Sequence, residues 1–473
     1  MAVIKTLFAP KDMTQGTPWK RIVEFTLPML IGNIAQQFYN TADSIIVGRY
    51  IGDNALAAVG SAAPILNLLL VLFVGISVGA GIMVSQYYGA KDRENLSRAI
   101  GNCITQTAIS SGVIMIIGPL VSKPLLTLLN TPPSILNWCA GYLNIFFLGS
   151  AGFAFYNNLA GILRGLGDSF SALVFLLIAT ALNVWLDILF VAKFNMGVPG
   201  VALATVIAQG ISAIFCLFKL LKMKEHFDLN WSILKPTKMH SVTLFKLGVP
   251  SGLTQAIFSL AMIVVQSLTN SFGEMVIACS VIVMRVDGFA MMPNFSFGAA
   301  MTTFAGQNIG AKRLDRLNQG TKDGTKIAVA VATVITTILL LFGKYLMSIF
   351  TETAELVELS MRMMRILATG YIAVAITQSL SGVMRGAGDA VTPMWISLIT
   401  VVAFRVPLAY GIAYFTRSEL YPTGRPESTF ISLLISWVLG AVITMYYYRK
   451  GAWRTKEIQK ATAQGKISAE AHV

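Results

Sequence analysis

The sequence predicts an all-α membrane protein with about twelve transmembrane helices. Two observations carry this prediction: apolar runs of span length recur along nearly the whole chain, and charged residues are scarce. Hydrophobic residues make up 55% of the 473 positions and charged residues 12%, half of the roughly 25% that is typical of soluble domains. Because one crossing takes about 20 apolar residues, the runs accommodate about twelve helices.

The spans are predicted from the apolar runs and the turn signals between them. In the first half they cover residues 22–48, 55–84, 96–122, 134–162, 169–192 and 197–220. In the second half they cover residues 247–272, 275–305, 323–346, 355–383, 391–415 and 428–448. The first run is too long for a signal-peptide core and lacks a cleavage site, so we interpret it as a retained span.

The net charge of +14 is distributed in a way that predicts topology. Lys and Arg concentrate in alternate connections, namely at residues 5–21, 91–98, 219–246, 312–326 and beyond 449. Alternate basic loops are the positive-inside pattern, which predicts that both termini are cytoplasmic. We expect the protein in the plasma membrane. This distribution explains the charge without nucleic-acid binding.

Two separated motifs predict an internal duplication. SQYYGAKDRENLSR at 85–98 returns as GQNIGAKRLDRLNQ at 306–319, and GILRGLGD at 161–168 returns as GVMRGAGD at 382–389. Both pairs are offset by 221 residues. Since six spans return the chain to the same side, the halves are expected to be parallel repeats about an axis along the membrane normal. The predicted organisation is an N-terminal lobe 1–218, a cytoplasmic connector 219–246, a C-terminal lobe 247–448 and a cytoplasmic tail 449–473.

A polar stripe marks the first span. Asn33, Gln36, Asn40 and Asp43 follow helical steps of three and four, so they share one face of the helix. An acid in a membrane helix is costly and is expected to face a water-filled cavity or a partner. Pro28 removes one helical hydrogen bond in the same run, and we expect a hinge there.

Further polar residues interrupt the later spans of the first half. Asn183 and Asp187 stack at i, i+4 on the fifth span, while Asn157, Asn158 and Thr205 interrupt the fourth and sixth. With Asp43, these oxygens suit H⁺ or Na⁺. For the last three residues, hydrogen bonding between helices is an equally good interpretation. The repeat-equivalent positions of the fifth-span pair are Phe404 and Leu408, so the ion site is expected in the N-terminal half.

The second half carries different polar residues. Arg285 and Asp287 lie in one apolar span, where a local ion pair or contacts with the other lobe would offset their burial. Arg405 is a second intramembrane cation, near Gln378. Met284 and Met291 could furnish an adaptable wall for varied ligands, although Met in a membrane helix is more often ordinary packing.

These motifs resemble the MATE family of multidrug and toxic compound extrusion transporters. The resemblance covers nearly the whole chain and rests on Pro28, the Gln36…Tyr39…Asp43…Gly48 pattern, and the paired GA-K loops and RG-GD turns. The set that looks like the N-lobe ion and proton site of the DinF-like branch is Tyr39, Asp43, Asn157, Asn183, Asp187 and Thr205.

The resemblance implies two six-helix lobes and export of amphipathic, often cationic, organic compounds in exchange for H⁺ or Na⁺. It implies a functional monomer in membrane lipid without a cofactor. Gln36, Asn40, Asn158, Met284, Arg285, Met291, Gln378 and Arg405 are the candidate substrate-cavity residues. Lipid-linked oligosaccharide flippases of the wider superfamily are an alternative, favoured by the two intramembrane arginines. No HExxH, Ser/His or paired-Cys motif supports an enzyme.

Overall fold

The computed structural model of the protein describes residues 10–128, 131–228, 230–419 and 421–454. Within the first two helices, side chains are not described at residues 40, 44, 53, 54, 56, 57, 61, 63, 64, 68–70 and 72. The described residues form helices and their connections, without a β-strand.

The helices of the first half are α1 Pro18–Tyr50, α2 Asp53–Gly89, α3 Arg93–Leu128, α4 Pro133–Leu148, α5 Ser150–Gly165, α6 Ser169–Asp187 and α7 Gly197–Lys222. Helix α6 continues as a π-helix over Ile188–Lys193.

The helices of the second half are α8 Lys238–Ser271, α9 Glu274–Gly310, α10 Leu314–Ser348, α11 Ala354–Ala368, α12 Tyr371–Gly386, α13 Val391–Ser397, α14 Val406–Phe415 and α15 Glu427–Lys450. A π-helix over Leu398–Arg405 joins α13 to α14.

Twelve of these segments are long enough to span a membrane. Eight of them are continuous spans by length and hydropathy. Two of these eight include a π-helix: α6 with its continuation to Lys193, and α13 with α14. The bent pairs α4–α5 and α11–α12 supply two more spans. Helices α1 and α2, with 33 and 37 residues, complete the set. The predicted all-α polytopic fold is confirmed.

The fourth span of each half is broken, where the sequence predicted one continuous helix. The bend is 51° at Gly149 and 42° between Ala368 and Tyr371, next to Gly370. A Cβ on Gly149 would lie 2.2 Å from Val206, and one on Gly370 would lie 2.6 Å from Trp437. Close packing therefore requires a glycine at both bends, and 370 − 149 equals the repeat offset of 221.

The chain divides into two compact units. Unit 1 contains residues 1–12 and 27–252, and unit 2 contains residues 13–26 and 253–473. The start of α1 therefore belongs to unit 2, and the start of α8 belongs to unit 1. Both helices change unit within two residues of a proline, Pro28 in α1 and Pro250 in α8.

The two repeated turns have the same local structure in both units. Gly167 and Gly388 adopt φ of 91° and 92°, which favours glycine because a Cβ would clash with the backbone. The following Asp168 accepts a hydrogen bond from the amide of Ser171 at 2.9 Å and caps α6. Asp389 accepts the equivalent bond from Thr392 at 3.2 Å. The acids of the RG-GD motifs are therefore helix caps.

Residues 13–17, which we call the N-terminal strap, are bound within unit 2. The Met13 amide donates to Gln307 Oε1 at 2.9 Å. Arg316 donates through Nε to the Met13 carbonyl at 3.1 Å and through Nη2 to the Gln15 carbonyl at 2.8 Å. Met13 is fully buried. The GA-K loop region of the second repeat therefore holds the strap through a buried Arg and Gln.

The connector is held in the equivalent way within unit 1. Thr105 Oγ1 donates to the Leu234 carbonyl at 2.6 Å, and a Cβ on Gly101 would lie 2.4 Å from the Ile233 carbonyl oxygen. Arg93 pairs with Asp228 at 2.8 Å, and its hydrogen bond holds the pKa of that exposed carboxyl below its ordinary value. The stretch preceding α8 is therefore fixed along α3.

Candidate functional site

Three polar side chains from three helices meet in unit 1. Thr205 on α7 donates its hydroxyl to the Val201 carbonyl at 3.2 Å, as helical threonines commonly do. Its Oγ1 then accepts from Asn183 Nδ2 at 3.2 Å and lies 3.0 Å from the Tyr39 hydroxyl. Because the Thr205 hydrogen is used, Tyr39 is the donor in that last contact. This chain of bonds joins α1, α6 and α7.

The acids Asp43 and Asp187 lie beside this chain of bonds. Their carboxyl groups are near enough to share a hydrogen bond when one of them carries a proton. Asp187 is fully buried, and neither of its oxygens has a hydrogen-bond donor among the described residues. The same holds for Asp43 Oδ1 and for Asn183 Oδ1. Four oxygens of one cluster therefore lack a donor.

A cluster of this kind is costly unless a cation is present. A buried carboxylate without donors loses several kcal/mol of hydration, and two adjacent ones repel each other. A bound proton, or a small cation such as Na⁺ that prefers hard oxygen ligands, offsets both costs. The described residues contain no group of three His, Cys, Asp or Glu side chains that could hold a metal ion. The acid pair and its neutral oxygen neighbours therefore form the candidate ion site.

The backbone at Asp187 is irregular. Asp187 ends α6, and the π-helix Ile188–Lys193 follows directly. π-Helical turns in α-helices are rare and occur frequently at functional sites. Met196 closes the turn by donating its amide to the Phe190 carbonyl at 2.9 Å. The unusual turn therefore lies immediately after the buried acid.

A narrow crevice lies beside Asn183 and is too tight to admit a water molecule. Gln36, Tyr39 and Gln209 also line it. Drug-sized ligands occupy pockets of about 300–1,000 Å³, so the crevice does not hold an organic substrate. Sequence reasoning missed Gln209, whose buried Oε1 lacks a donor among the described residues. Its spacing of four from Thr205 on α7 was the available signal.

Two further predicted residues have hydrogen-bond partners other than the acids. Asn158 is buried against α3, where its Nδ2 donates to the Cys103 carbonyl at 3.1 Å and to Thr107. Asn157 donates to the Phe153 carbonyl at 2.9 Å, within its own helix. For Asn158, the structure favours hydrogen bonding between helices over a place in a substrate cavity. Its contacts join α5 to α3.

Unit 2 contains a separate polar cluster. Asp287 on α9 accepts a 2.9 Å hydrogen bond from the Tyr371 hydroxyl on α12. Arg405, 4% exposed, stands near Asp287, but no ion pair within 4.0 Å joins them in the described chain. The Arg405 Nη2 contacts Met262 Sδ at 3.5 Å, and its Nε lacks an acceptor. Sequence reasoning missed Tyr371, which the bend after Ala368 places against α9.

The remaining candidates of unit 2 lie at different depths. Arg285 is exposed, and it forms no ion pair with the buried Asp287, in contrast to the expected local pair. Met291 is buried and Met284 half-buried. Gln378 is half-buried and lies against Gly298. A Cβ added to Gly298 would lie 3.4 Å from the Gln378 Oε1. The side chain of Asn40 lies outside the described residues.

Pro28 lies inside α1, which continues through it as an α-helix. The helix therefore tolerates the missing hydrogen bond without ending. The change of unit falls between Thr26 and Leu27, directly before this proline. The location agrees with a hinge role, which stays a prediction.

Membrane-length helices in two repeated halves define a multi-pass membrane protein. A family model described as MatE matches residues 28–189 and 250–411, one copy in each repeat. The chain therefore belongs to the MatE family, and the predicted family is confirmed.

Curated relatives match along nearly their full lengths. "Probable multidrug resistance protein YoeA" of Bacillus subtilis is 29% identical over 451 residues, which cover 93% of this chain and 96% of the relative. "Probable multidrug resistance protein NorM" of Thermotoga maritima is 23% identical, with 93% and 94% covered. "Multidrug export protein MepA" of Staphylococcus aureus is 24% identical, with 83% and 88% covered.

Solved structures show the same fold. A multidrug resistance MATE family transporter in an outward-facing conformation superposes with a TM-score of 0.87 at 23% identity, covering 94% of this chain and 98% of that one. A transporter of the MOP superfamily from Pyrococcus furiosus, described by the reverse polarity of its binding pocket, superposes with a TM-score of 0.86 at 23% identity, with the same coverage.

Proposed function

We propose that this protein is a secondary active antiporter that exports amphipathic, often cationic, organic compounds in exchange for H⁺ or Na⁺. The observation that carries the proposal is the acid pair Asp43 and Asp187, whose buried oxygens lack donors. The multidrug names of the curated relatives support the substrate class. The proposed coupling residues are Tyr39, Asp43, Asn157, Asn183, Asp187 and Thr205, to which the structure adds Gln209.

The mechanism follows from the charge of the acid pair. With an ion bound, the pair is compensated, and α1 can keep its place against α6 and α7. When the ion leaves, the repulsion between Asp43 and Asp187 favours an arrangement in which α1 moves, with Pro28 as the weak point of its backbone. An ion crossing down 100 mV supplies roughly 2.3 kcal/mol per charge, enough to bias such an equilibrium.

The test compares conservative variants in proteoliposomes. Asp43→Asn and Asp187→Asn should each abolish transport driven by an imposed H⁺ or Na⁺ gradient, because the amide cannot bind and release the ion. The exposed Asp315→Asn is the matched control and should transport normally. Imposing the H⁺ and the Na⁺ gradient separately identifies the coupling ion. Active transport by both single variants would refute the proposal.

We further propose a plasma-membrane location with both termini and the connector in the cytoplasm. The basic residues of the connector support this orientation. A single cysteine at exposed Lys235, introduced into a chain without native cysteines, should resist impermeant thiol reagents in intact cells. It should react after the cells are opened. Fast labelling in intact cells would reverse the topology.

A second candidate function is transport of lipid-linked oligosaccharides or other lipids. The specific observation in its favour is Arg405, a buried cation whose described contacts are weak. Complementation separates the two functions: drug tolerance in a pump-deficient host supports the antiporter, and rescue of a flippase-deficient strain supports the lipid transporter.

A further inference from the structure

An open pocket of about 640 Å³ lies in unit 2, away from both polar clusters. It is formed by the first part of α10, the middle of α12 and the end of α15. These three segments belong to the same membrane face, because α10 begins where α12 and α15 end. Four cations line the space, which we call the basic pocket: Lys322, Lys326, Arg449 and Arg454. None of its lining residues is acidic.

The mouth of the basic pocket is held by the chain that follows α15. Gly451 adopts φ of 72° and reverses the direction of the backbone. Trp453 is buried and donates its indole nitrogen to the Tyr448 carbonyl at 3.0 Å. Arg454 lies 4.9 Å from the Trp453 ring and donates to Asn318 Oδ1 at 2.7 Å. The guanidinium is therefore fixed beside the pocket and is not a freely moving surface charge.

The basic pocket of unit 2 differs from the repeat-equivalent surface of unit 1. Lys322 and Lys326 correspond, at the offset of 221, to Gly101 and Thr105 on α3. In unit 1 that face is covered by connector residues 233–234. In unit 2 the corresponding face carries two exposed lysines and stands open in the described chain. Two positions that hold a neutral packing contact in one half are basic in the other.

We propose that the basic pocket binds an anionic phospholipid of the surrounding membrane. Its phosphate would contact the four cations, and its acyl chain would lie on the apolar wall formed by Leu380, Met445 and Val329. Each Lys or Arg near an anionic lipid surface strengthens binding by roughly a factor of five. The apolar wall favours a lipid over free phosphate, since a small ion leaves that surface uncovered.

The charge of the C-terminal residues 455–473 fits the basic pocket less well than the charge of an anionic lipid. Residues 455–473 carry three lysines and two glutamates, which gives a net charge of +1 when His472 is counted as neutral. A segment of this composition does not complement four cations. An anionic lipid does, and the three segments that form the pocket end together at one membrane face. This binding is independent of the coupling acids and of the transported compound.

The experiment is lipid titration of the purified full-length protein, followed by native mass spectrometry. Palmitoyl-oleoyl phosphatidylglycerol should bind at least about tenfold more tightly than the matching phosphatidylcholine. The triple variant Lys322→Gln/Lys326→Gln/Arg449→Gln should weaken the phosphatidylglycerol affinity by on the order of 10- to 100-fold. The control Lys235→Gln/Lys238→Gln/Lys246→Gln removes the same charge from exposed positions of unit 1 and should leave the affinity unchanged.

Any one of five results would overturn the proposal. They are equal affinity for the two lipids, unchanged phosphatidylglycerol affinity in the pocket variant, and equal loss in both triple variants. The fourth is lipid binding that appears only after residues 455–473 are deleted, which would assign the pocket to the tail. Glycerol 1-phosphate serves as the soluble probe, and its binding as tightly as phosphatidylglycerol would assign a free phosphate site instead. Correct folding of each variant is checked by its elution as a single species.

Discussion

Asp187→Asn should make the protein more stable, although the same change should abolish coupled transport. Asp187 is fully buried, and both of its oxygens lack a donor in the described structure. An amide of the same shape removes the buried charge and the repulsion from Asp43. Asp287→Asn is the informative comparison, because Asp287 accepts a 2.9 Å bond from Tyr371 and stands near Arg405.

The two substitutions are therefore expected to change the unfolding free energy in opposite directions. An unsatisfied buried polar group costs about 1–3 kcal/mol, and more when it is charged. Asp187→Asn keeps a buried polar group but removes its charge and the repulsion from Asp43, so it should gain on the order of 1 kcal/mol. Asp287→Asn exchanges a charge-assisted hydrogen bond for a neutral one and should lose about 1 kcal/mol. For a unit of 150–250 residues, each kcal/mol moves the melting temperature by about 2–4 °C.

The assay is thermal unfolding of the purified variants in one detergent at pH 8, followed by tryptophan fluorescence. Asp187→Asn should unfold at a higher temperature than the unaltered protein, and Asp287→Asn at a lower one. If Asp187→Asn is destabilised as much as Asp287→Asn, then Asp187 has a stabilising partner in the folded protein. That result would also remove the main argument for an exchangeable ion at this site.

Three further changes test packing and motion. Gly79→Leu should prevent accumulation of folded protein, because a Cβ at Gly79 would lie 2.8 Å from the Gly248 amide nitrogen of α8. Gly112→Leu is the control, since a Cβ at Gly112 meets no atom within 4 Å. The yield of both variants is measured by fluorescence-detected size-exclusion chromatography. Asn158→Ala should lower the unfolding free energy by about 1–3 kcal/mol, since it leaves the Cys103 carbonyl without that donor; an unchanged melting temperature would contradict this. Pro28→Ala should stiffen α1 and reduce gradient-driven turnover more than equilibrium substrate binding; normal turnover would exclude the hinge.

The sequence predicted the architecture well because hydropathy and repeated loops are local signals. Span length, the offset of 221 and the GA-K and RG-GD motifs each depend on neighbouring residues or on simple alignment. The same approach found Asn183 and Asp187, since i, i+4 spacing fixes a common helix face. That Asn183 meets Thr205, which in turn contacts Tyr39, was carried by family resemblance and not by spacing.

The remaining features depend on contacts between distant segments, which periodicity does not encode. The break at Gly149 follows from its approach to Val206, more than 50 residues later. Asn158 was grouped with the substrate cavity because sequence shows only that it is polar and intramembrane, whereas its contacts lie on α3. Arg285 and Asp287 are two residues apart, so they point to different faces of α9, which explains why the expected local pair is absent from the described contacts.

The N-terminal strap has a consequence for the order in which the chain assembles during synthesis. Its hydrogen-bond partners Gln307 and Arg316 follow Met13 by about 300 residues. At roughly 5–20 residues per second, a ribosome needs about 15–60 s to reach them. Until then the buried carbonyls of the strap, and the start of α1 behind them, lack the partners they have in the finished protein. The strap is thus made about 300 residues before the partners that fix it. A ribosome that stops before residue 307 releases a chain in which the strap never reaches its final place.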